Sequence, residues 1–452
     1  MRDIEQSCFW LATRQDVAEN PPLQSNCDAD IAIVGAGFTG LWTAFFLKQL
    51  EPGLDIVVVE QGVAGYGGSG RNAGIVSACI DHSHALAITH FGRSEAAKLA
   101  RLGMENIDEL AQFASDCDFQ RTGLLQVALT AKHLEDCKEN MAVAEGLGIK
   151  DYRLLSQDEV RAEINSPLYL GAGFVSGGGI INPVKLVDKI KREATRLGVR
   201  FFERTRVLAI DGSSVRAEGG TVKARRQVIL ATDAYSHHLF PKLLFRFIPL
   251  YDYILVSEPL TEAQRGAIGW HNRQGVTDGR TFFNYYRLTE DHRILWGTSE
   301  ANYYPPNRVD QQCDHSEHHY ATLRESFKRH FPQLSDLEFV YAWGGPIAST
   351  TRLTPFFGTL AGGKILYGLG YTGHGIGSTR VAGKILAHLA LKLPSELLEL
   401  KMVREKPFPY PPEPLRSLSV KMVTHSLRRV DRGDNPNALL RLLDAMGIGF
   451  SS

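Results

Sequence analysis

The sequence predicts an α/β chain, α+β overall, in which a parallel-sheet unit is interleaved with a second unit built on a large antiparallel or mixed sheet. Three observations lead there. A short apolar strand from Asp30 runs into a glycine turn and a helical stretch, and a second strand, Ile56 to Val59, follows the break at Pro52 and Gly53. Alternating helix and strand patterns return over residues 180–235. By contrast, Ile248 to Val256, Thr281 to Leu288 and Arg293 to Thr298 are rich in aromatic and branched side chains and are separated by turns, the pattern of an antiparallel sheet. At 452 residues and 44% hydrophobic content, the chain is long enough for two such units.

Along the chain, residues 1–27 contain Pro21 and Pro22 and read as an extended arm. The parallel-sheet unit is expected to be discontinuous, over 28–80, 165–240 and 335–395. It takes in a helix from about Pro183 to Leu197, strands near Val199 to Phe202, Val207 to Ile210, Gln227 to Ala231, Tyr341 to Gly345 and Ile365 to Gly368, and a helix from about Ile376 to Leu389. The second, substrate-binding unit is expected over 81–164 and 241–334; its first part carries charged helical spacing interrupted by a strand, Gly123 to Leu129. Residues 396–452 form a tail with Pro407, Pro409, Pro411, Pro412 and Pro414, then a mildly basic amphipathic stretch that wraps the body or makes a weak contact with a partner or a membrane surface.

Lysine plus arginine equals aspartate plus glutamate at 50 each, so no net field draws the protein to nucleic acid or anionic lipid, and a small molecule is the expected partner. Cys8, Cys27, Cys79, Cys117, Cys137 and Cys313 contain no C-x-x-C pair, which argues against a zinc ribbon, an iron-sulfur site or a disulfide framework and fits a reducing cytoplasm. The uncharged run Ile31 to Leu47 is short for a membrane span, follows the acids Asp28 and Asp30, and is broken by glycines; it reads as strand, turn and helix. Cys313, His315, His318 and His319 cluster in sequence but lack the order of a metalloenzyme motif, and no metal is expected.

The chemistry starts at Gly35-x-Gly37-x-x-Gly40, which follows the first strand and opens a helix, the context of a Rossmann-type dinucleotide site. Gly35 permits the tight turn, Gly37 lets the backbone approach a pyrophosphate at the helix N-terminus, and Gly40 lets the helix lie close to the sheet. Glu60 ends the second strand 20 residues after Gly40, where a carboxylate accepts from ribose hydroxyls and repels a 2′-phosphate. FAD and NAD share that ADP moiety. The run Gly67-Gly68-Ser69-Gly70-Arg71-Asn72-Ala73-Gly74 favours FAD, because it can wrap the pyrophosphate and approach a flat ring.

With Ile181-Asn182-Pro183, Val228-Ile229-Leu230-Ala231-Thr232, Trp343-Gly344-Gly345 and Gly370-Tyr371-Thr372-Gly373-His374-Gly375-Ile376-Gly377, these residues resemble the D-amino-acid-oxidase-like (DAO) FAD-dependent oxidoreductases. The group includes sarcosine, glycine and gamma-glutamylputrescine oxidases, and the likeness spans about residues 8 to 420. The resemblance implies cofactor contacts from Gly35, Gly37, Phe38, Thr39, Gly40, Glu60 and Gln61, and from Gly68, Ser69, Arg71, Asn72, Ala73 and Gly74. It places Val207 near the adenine, Ala231 and Thr232 under the cofactor, and Gly373, His374, Gly375 and Ile376 at the flavin N1 and O2 edge, with Gly345 a further cofactor contact. There a positive helix end would stabilise negative charge.

The resemblance also implies the reaction: the carbon next to nitrogen in a small primary or secondary amine loses a hydride equivalent to flavin N5, and the resulting imine is hydrolysed. N-methylated amino acids, polyamine derivatives and aminophosphonates are the candidate substrates, with O2 as acceptor. Amino-acid-oxidising relatives carry an arginine just beyond the tryptophan-glycine element, where this chain has Pro346 and Ile347; Arg352 is the candidate anion-binding group instead. Tyr253 and Tyr286 are expected at the flavin face beside His374, among Tyr251, Asn284, Tyr285 and Arg287, although strand alternation turns half of such residues away. Relatives with covalent flavin carry a cysteine near the Trp343 to Gly358 segment; its absence implies non-covalent FAD. A dehydrogenase using a quinone or carrier, a tRNA-modifying flavoprotein and a non-catalytic flavin-binding subunit are the alternatives.

Overall fold

The computed structural model describes residues 3–15 and 19–448. Two eight-stranded sheets carry the chain. In the first, Cys27–Val34 pairs in parallel with Ile56–Val59 on one side and Gly220–Leu230 on the other. Arg200–Phe202 and Ile365–Leu369 extend it in parallel, and Phe356–Leu360 closes one edge antiparallel. The helices Phe38–Leu50, Pro183–Arg196 and Gly375–Leu391 cover one face of this sheet and bury its main apolar core, which includes Ile31, Leu41, Trp42, Val58 and Ile385. The uncharged run is therefore strand, turn and helix as the sequence implies. Asn182 caps the Pro183–Arg196 helix by accepting from the amides of Val184 and Lys185, with Pro183 in the first turn, where its missing N–H costs nothing.

The second sheet runs Phe339–Ser349, Ile248–Ser257, Ile294–Asn302, Asn284–Leu288, Gly275–Asp278, Leu124–Ala128, Gly171–Val175 and Tyr152–Leu155. Its pairings are antiparallel except between Gly275–Asp278 and Leu124–Ala128. Gly171–Val175 and Phe339–Ser349, grouped by sequence with the nucleotide-binding segments, pair in this sheet instead. Helix Glu317–His330 packs on its outer face through Tyr320, Leu323 and Phe327.

The amino-terminal arm is not extended throughout. Ile4–Ser7 and Phe9–Ala12 are short helices that bury Phe9, Trp10 and Leu11 against Val184, Ile254 and Trp343. Burial of three large apolar side chains overrides the extended bias of the later prolines. The tail forms helices Leu415–Val430 and Ala438–Ala445 and docks on the body: Arg246 donates to the Pro407 carbonyl, and Asp431 accepts from the amides of Thr281 and Phe282. Among the described residues no helix is long and apolar enough to cross a membrane.

Candidate active site

Both sheets end on one cavity of about 1490 Å³, larger than the roughly 300–1,000 Å³ of an ordinary ligand pocket and roomy enough for a dinucleotide and a substrate together. At its nucleotide end, the strand Cys27–Val34 turns at Gly35, whose φ of +103° is a left-handed conformation that other residues adopt at a cost. A Cβ on Gly40 would lie 2.0 Å from the Gly35 carbonyl oxygen, so strand and helix can approach this closely only without a side chain. Gly40 and Gly74, the latter with a Cβ position 2.2 Å from the Ile181 oxygen, serve packing, the role the glycine motif gives Gly40, and lie outside the cavity lining. Gly35, Gly37, Phe38 and Thr39 do line it.

Glu60 and Gln61 stand at the end of the second strand, facing the cavity with Val207. The Glu60 carboxylate accepts from the amides of Ala36 at 2.8 Å and Gly62 at 2.9 Å, while burial pushes its pKa up. The 67–74 loop is fastened from behind. Trp10 Nε1 donates to the Asn72 carbonyl at 2.9 Å, Trp343 Nε1 to that of Arg71 at 2.9 Å, and the Cys8 thiol to that of Gly70. That leaves Gly68, Ser69, Arg71, Asn72 and Ala73 on the cavity wall. Arg71 is buried beside Gly345, its Nη1 2.9 Å from Asp314 and its Nε on the Tyr66 carbonyl. Ala231 and Thr232 complete the floor.

Opposite them, Gly373, His374, Gly375 and Ile376 bring the N-terminus of helix Gly375–Leu391 to the cavity with no side-chain cap. His374 stands edge-on to His82 with ring centroids 4.3 Å apart. Burial lowers the pKa of both rings, so they are neutral near pH 7.

The sheet face differs from expectation. Leu250, Asp252 and Ile254 line the cavity, whereas Tyr251 and Tyr253 are buried on the other face, where the Tyr253 hydroxyl donates to the Cys313 carbonyl. Likewise Tyr285 lines the cavity, while Tyr286 is fully buried against Trp296 with its hydroxyl on Tyr169. The strands alternate as required, in the opposite phase to the one assigned to Tyr253 and Tyr286. Asn284 and Arg287 are buried too: Asn284 donates to the Gly297 carbonyl, and Arg287 to the carbonyls of Gly74 and Ile181.

Arg352 is also displaced from the assigned role. Its guanidinium points away from the cavity and donates to the carbonyls of Pro355, Met402 and Glu405, and burial lowers its pKa to about 10. It ties the tail to the body.

Sequence reading missed Asp252, and it missed the tail as a wall: Pro409, Tyr410, Val420, Val423 and Leu427 line the cavity. Their signal was the apolar spacing of Leu415–Val430, which gives a buried face without naming its partner. Among the described residues, the group that brings three metal-ligating atoms within 4.8 Å is Cys79, Asp81 and His84, not the later histidines. The Cys79 thiol there donates to Asp81, and His319 is engaged by Ser316 and Asn302.

The buried nitrogens in this frame that lack protein partners include Arg71 Nη2 and His374 Nδ1. Both belong to residues that line the cavity, one beside the glycine loop and one at a positive helix end. An anionic nucleotide with a polar flat ring fits that donor set.

Residues 30–389 match the family model "FAD dependent oxidoreductase", DAO. The chain belongs to this family. It is 31% identical to gamma-glutamylputrescine oxidoreductase of Escherichia coli over 393 residues, covering 85% of this chain and 88% of that protein. It is 28% identical over 396 residues to the probable oxidoreductase OrdL of Haemophilus influenzae, with the same coverages. Glycine oxidase from Geobacillus kaustophilus shares the fold at a TM-score of 0.66 and 20% identity, over 84% of this chain and 99% of that one. This DAO-family chain is thus an FAD-dependent oxidoreductase by family and α/β in fold, with a parallel and a mixed sheet.

Proposed function

We propose that the chain oxidises the C–N bond of a small primary or secondary amine, with FAD held non-covalently and oxygen as the electron acceptor. One observation carries the reading: a single cavity joins the nucleotide-binding loops to a sheet face of Leu250, Asp252, Ile254 and Tyr285. Relatives named gamma-glutamylputrescine oxidoreductase, sarcosine oxidase subunit beta and 4-methylaminobutanoate oxidase support an amine substrate. The lack of cysteine from Trp343 to Gly358 supports a cofactor held without a covalent bond there.

When bound, FAD supplies a two-electron acceptor for the hydride leaving the carbon next to nitrogen. The chain's own residues would do the rest. Glu60 would hold the ribose end, and Gly37 with Ser69 would leave room for the pyrophosphate: the Ser69 hydroxyl already accepts from the Phe38 amide at 2.8 Å, marking the helix N-terminus as a donor to an incoming acceptor. Arg71 Nη2, His374 Nδ1 and the Gly375–Leu391 helix end would direct positive potential to the ring edge. The sheet face would orient the amine, and the tail would keep water out.

The test is an anaerobic screen of N-methylated amino acids, polyamine derivatives and aminophosphonates for bleaching of the bound flavin. Bleaching by an amine, followed by hydrogen peroxide formation in air, is the expected result. A flavin that no amine bleaches would overturn the reading, and bleaching without peroxide would remove oxygen as acceptor.

A further inference from the structure

The sheet face that meets the cavity carries one carboxylate whose charge the fold does not balance. Asp252 lies on Ile248–Ser257 directly across from Gly345, and its strand phase aims it into the cavity between Leu250 and Ile254. Among the described residues its carboxylate has no hydrogen bond or ion pair. The charged and titratable groups around it give no counter-charge. Glu300, on the neighbouring strand, adds repulsion and is itself held by Arg428 of the tail at 2.7 Å. Tyr285, on the next strand, is a half-buried phenol, and Arg71 beside Gly345 is paired with Asp314. Farther along the wall Asp151 has two buried carboxylate oxygens without hydrogen-bond partners.

The nearby arginines are committed elsewhere. Arg287 and Arg352 are spent on backbone carbonyls, and Arg280 is paired with Asp278. A shielded carboxylate with no partner is costly unless a ligand completes it, and the ligand that does so is a cation.

We propose that Asp252 is the ammonium-binding carboxylate of this site, so that the substrate enters as a cationic amine with no carboxylate beside the reacting nitrogen. Asp252 also takes one proton from the bound ammonium: R–NH3⁺ and the carboxylate become R–NH2 and the carboxylic acid, which frees the nitrogen lone pair that C–N oxidation needs. This rests on the amine-oxidation reading above and narrows its substrate class. Burial, then repulsion from Glu300, pushes the Asp252 carboxyl up to about 8, in the range a proton acceptor needs near neutral pH. An α-carboxylate next to the amine would meet this charge with no uncommitted arginine on this sheet face to receive it; Arg71 lies in the glycine loop and Arg206 beside Val207 at the nucleotide end.

The experiment uses the FAD-loaded full chain with n-butylamine and n-butanoate as probes, with dissociation constants read from perturbation of the flavin spectrum and from calorimetry. The wild-type protein is expected to bind n-butylammonium at least tenfold more tightly than n-butanoate. Because protonated Asp252 attracts no cation, the constant for n-butylammonium should fall about tenfold per pH unit from pH 6 to near 8, then level off. Asp252→Asn should weaken that binding at least tenfold and abolish its pH dependence, while Asp252→Glu should retain the dependence. Tighter binding of n-butanoate, no binding of n-butylammonium, or an Asp252→Asn variant with wild-type affinity and pH profile would overturn the proposal. These outcomes are read on FAD-loaded protein, so they are separate from a failure to bind FAD or to be bleached by any amine, which would sink the broader reading.

Discussion

The Arg71–Asp314 pair allows stability and cofactor binding to be separated. The two side chains are 2% and 6% exposed and 2.9 Å apart, so solvent screens them little. Replacing Asp314 by Asn keeps the volume but removes the charge. Loss of one partner of a buried pair costs about 3–5 kcal/mol. Arg71 keeps its bond to the Tyr66 carbonyl and its position over the Tyr66 ring, which puts the expected loss near the lower end, ~3 kcal/mol or about a hundredfold in the folding equilibrium. Urea unfolding of the FAD-free protein, followed by tryptophan fluorescence, reads this as a lower midpoint. The double variant Arg71→Met, Asp314→Leu leaves no unpaired charge and should recover most of the midpoint, yet bind FAD at least tenfold more weakly, because the Nη2 donor is gone. An Asp314→Asn midpoint within error of wild type, or a double variant with wild-type FAD affinity, would refute this account of Arg71.

Three further outcomes are expected. Gly40→Ala drives a methyl against the Gly35 carbonyl and should cost about 1–3 kcal/mol or more, seen as a lower melting temperature and substoichiometric FAD after purification. Glu60→Gln turns an amide N–H toward the Ala36 or Gly62 amide; a buried donor left unpaired costs about 1–3 kcal/mol, and FAD affinity by fluorescence titration should fall at least tenfold. Arg352→Met removes the donors to three carbonyls, those of Met402 and Glu405 in the tail and that of Pro355 in the body, so limited proteolysis within residues 396–414 should accelerate at least tenfold while the FAD dissociation constant stays within about twofold.

Much of the nucleotide end was legible because its signals are local. Gly35-x-Gly37-x-x-Gly40 and Glu60 lie on adjacent turns and strand ends, and their spacing states the geometry. Residues from distant segments, such as Val207, Thr232 and Gly373, were reachable only through the family resemblance, and they line the same cavity. The sheet face was half legible. Alternation in Ile248–Ser257 gives a period of two, but which phase faces inward depends on the core behind it, and a register shift between Tyr251 and Tyr253 is invisible in composition. Arg352 misled because its acceptors are main-chain carbonyls, two of them 50 and 53 residues later in the tail, which no side-chain pattern announces. Asp252 is a single acid in an aromatic strand, and it becomes informative only once every neighbouring cation is seen to be engaged.

The most direct test of the central claim is titration of purified, colourless protein with FAD, following flavin fluorescence and the absorbance of the retained protein after gel filtration. The account predicts saturation at one FAD per chain, with the flavin released intact when the protein is unfolded. Protein that remains colourless after exposure to excess FAD, or that retains flavin after unfolding, would contradict it.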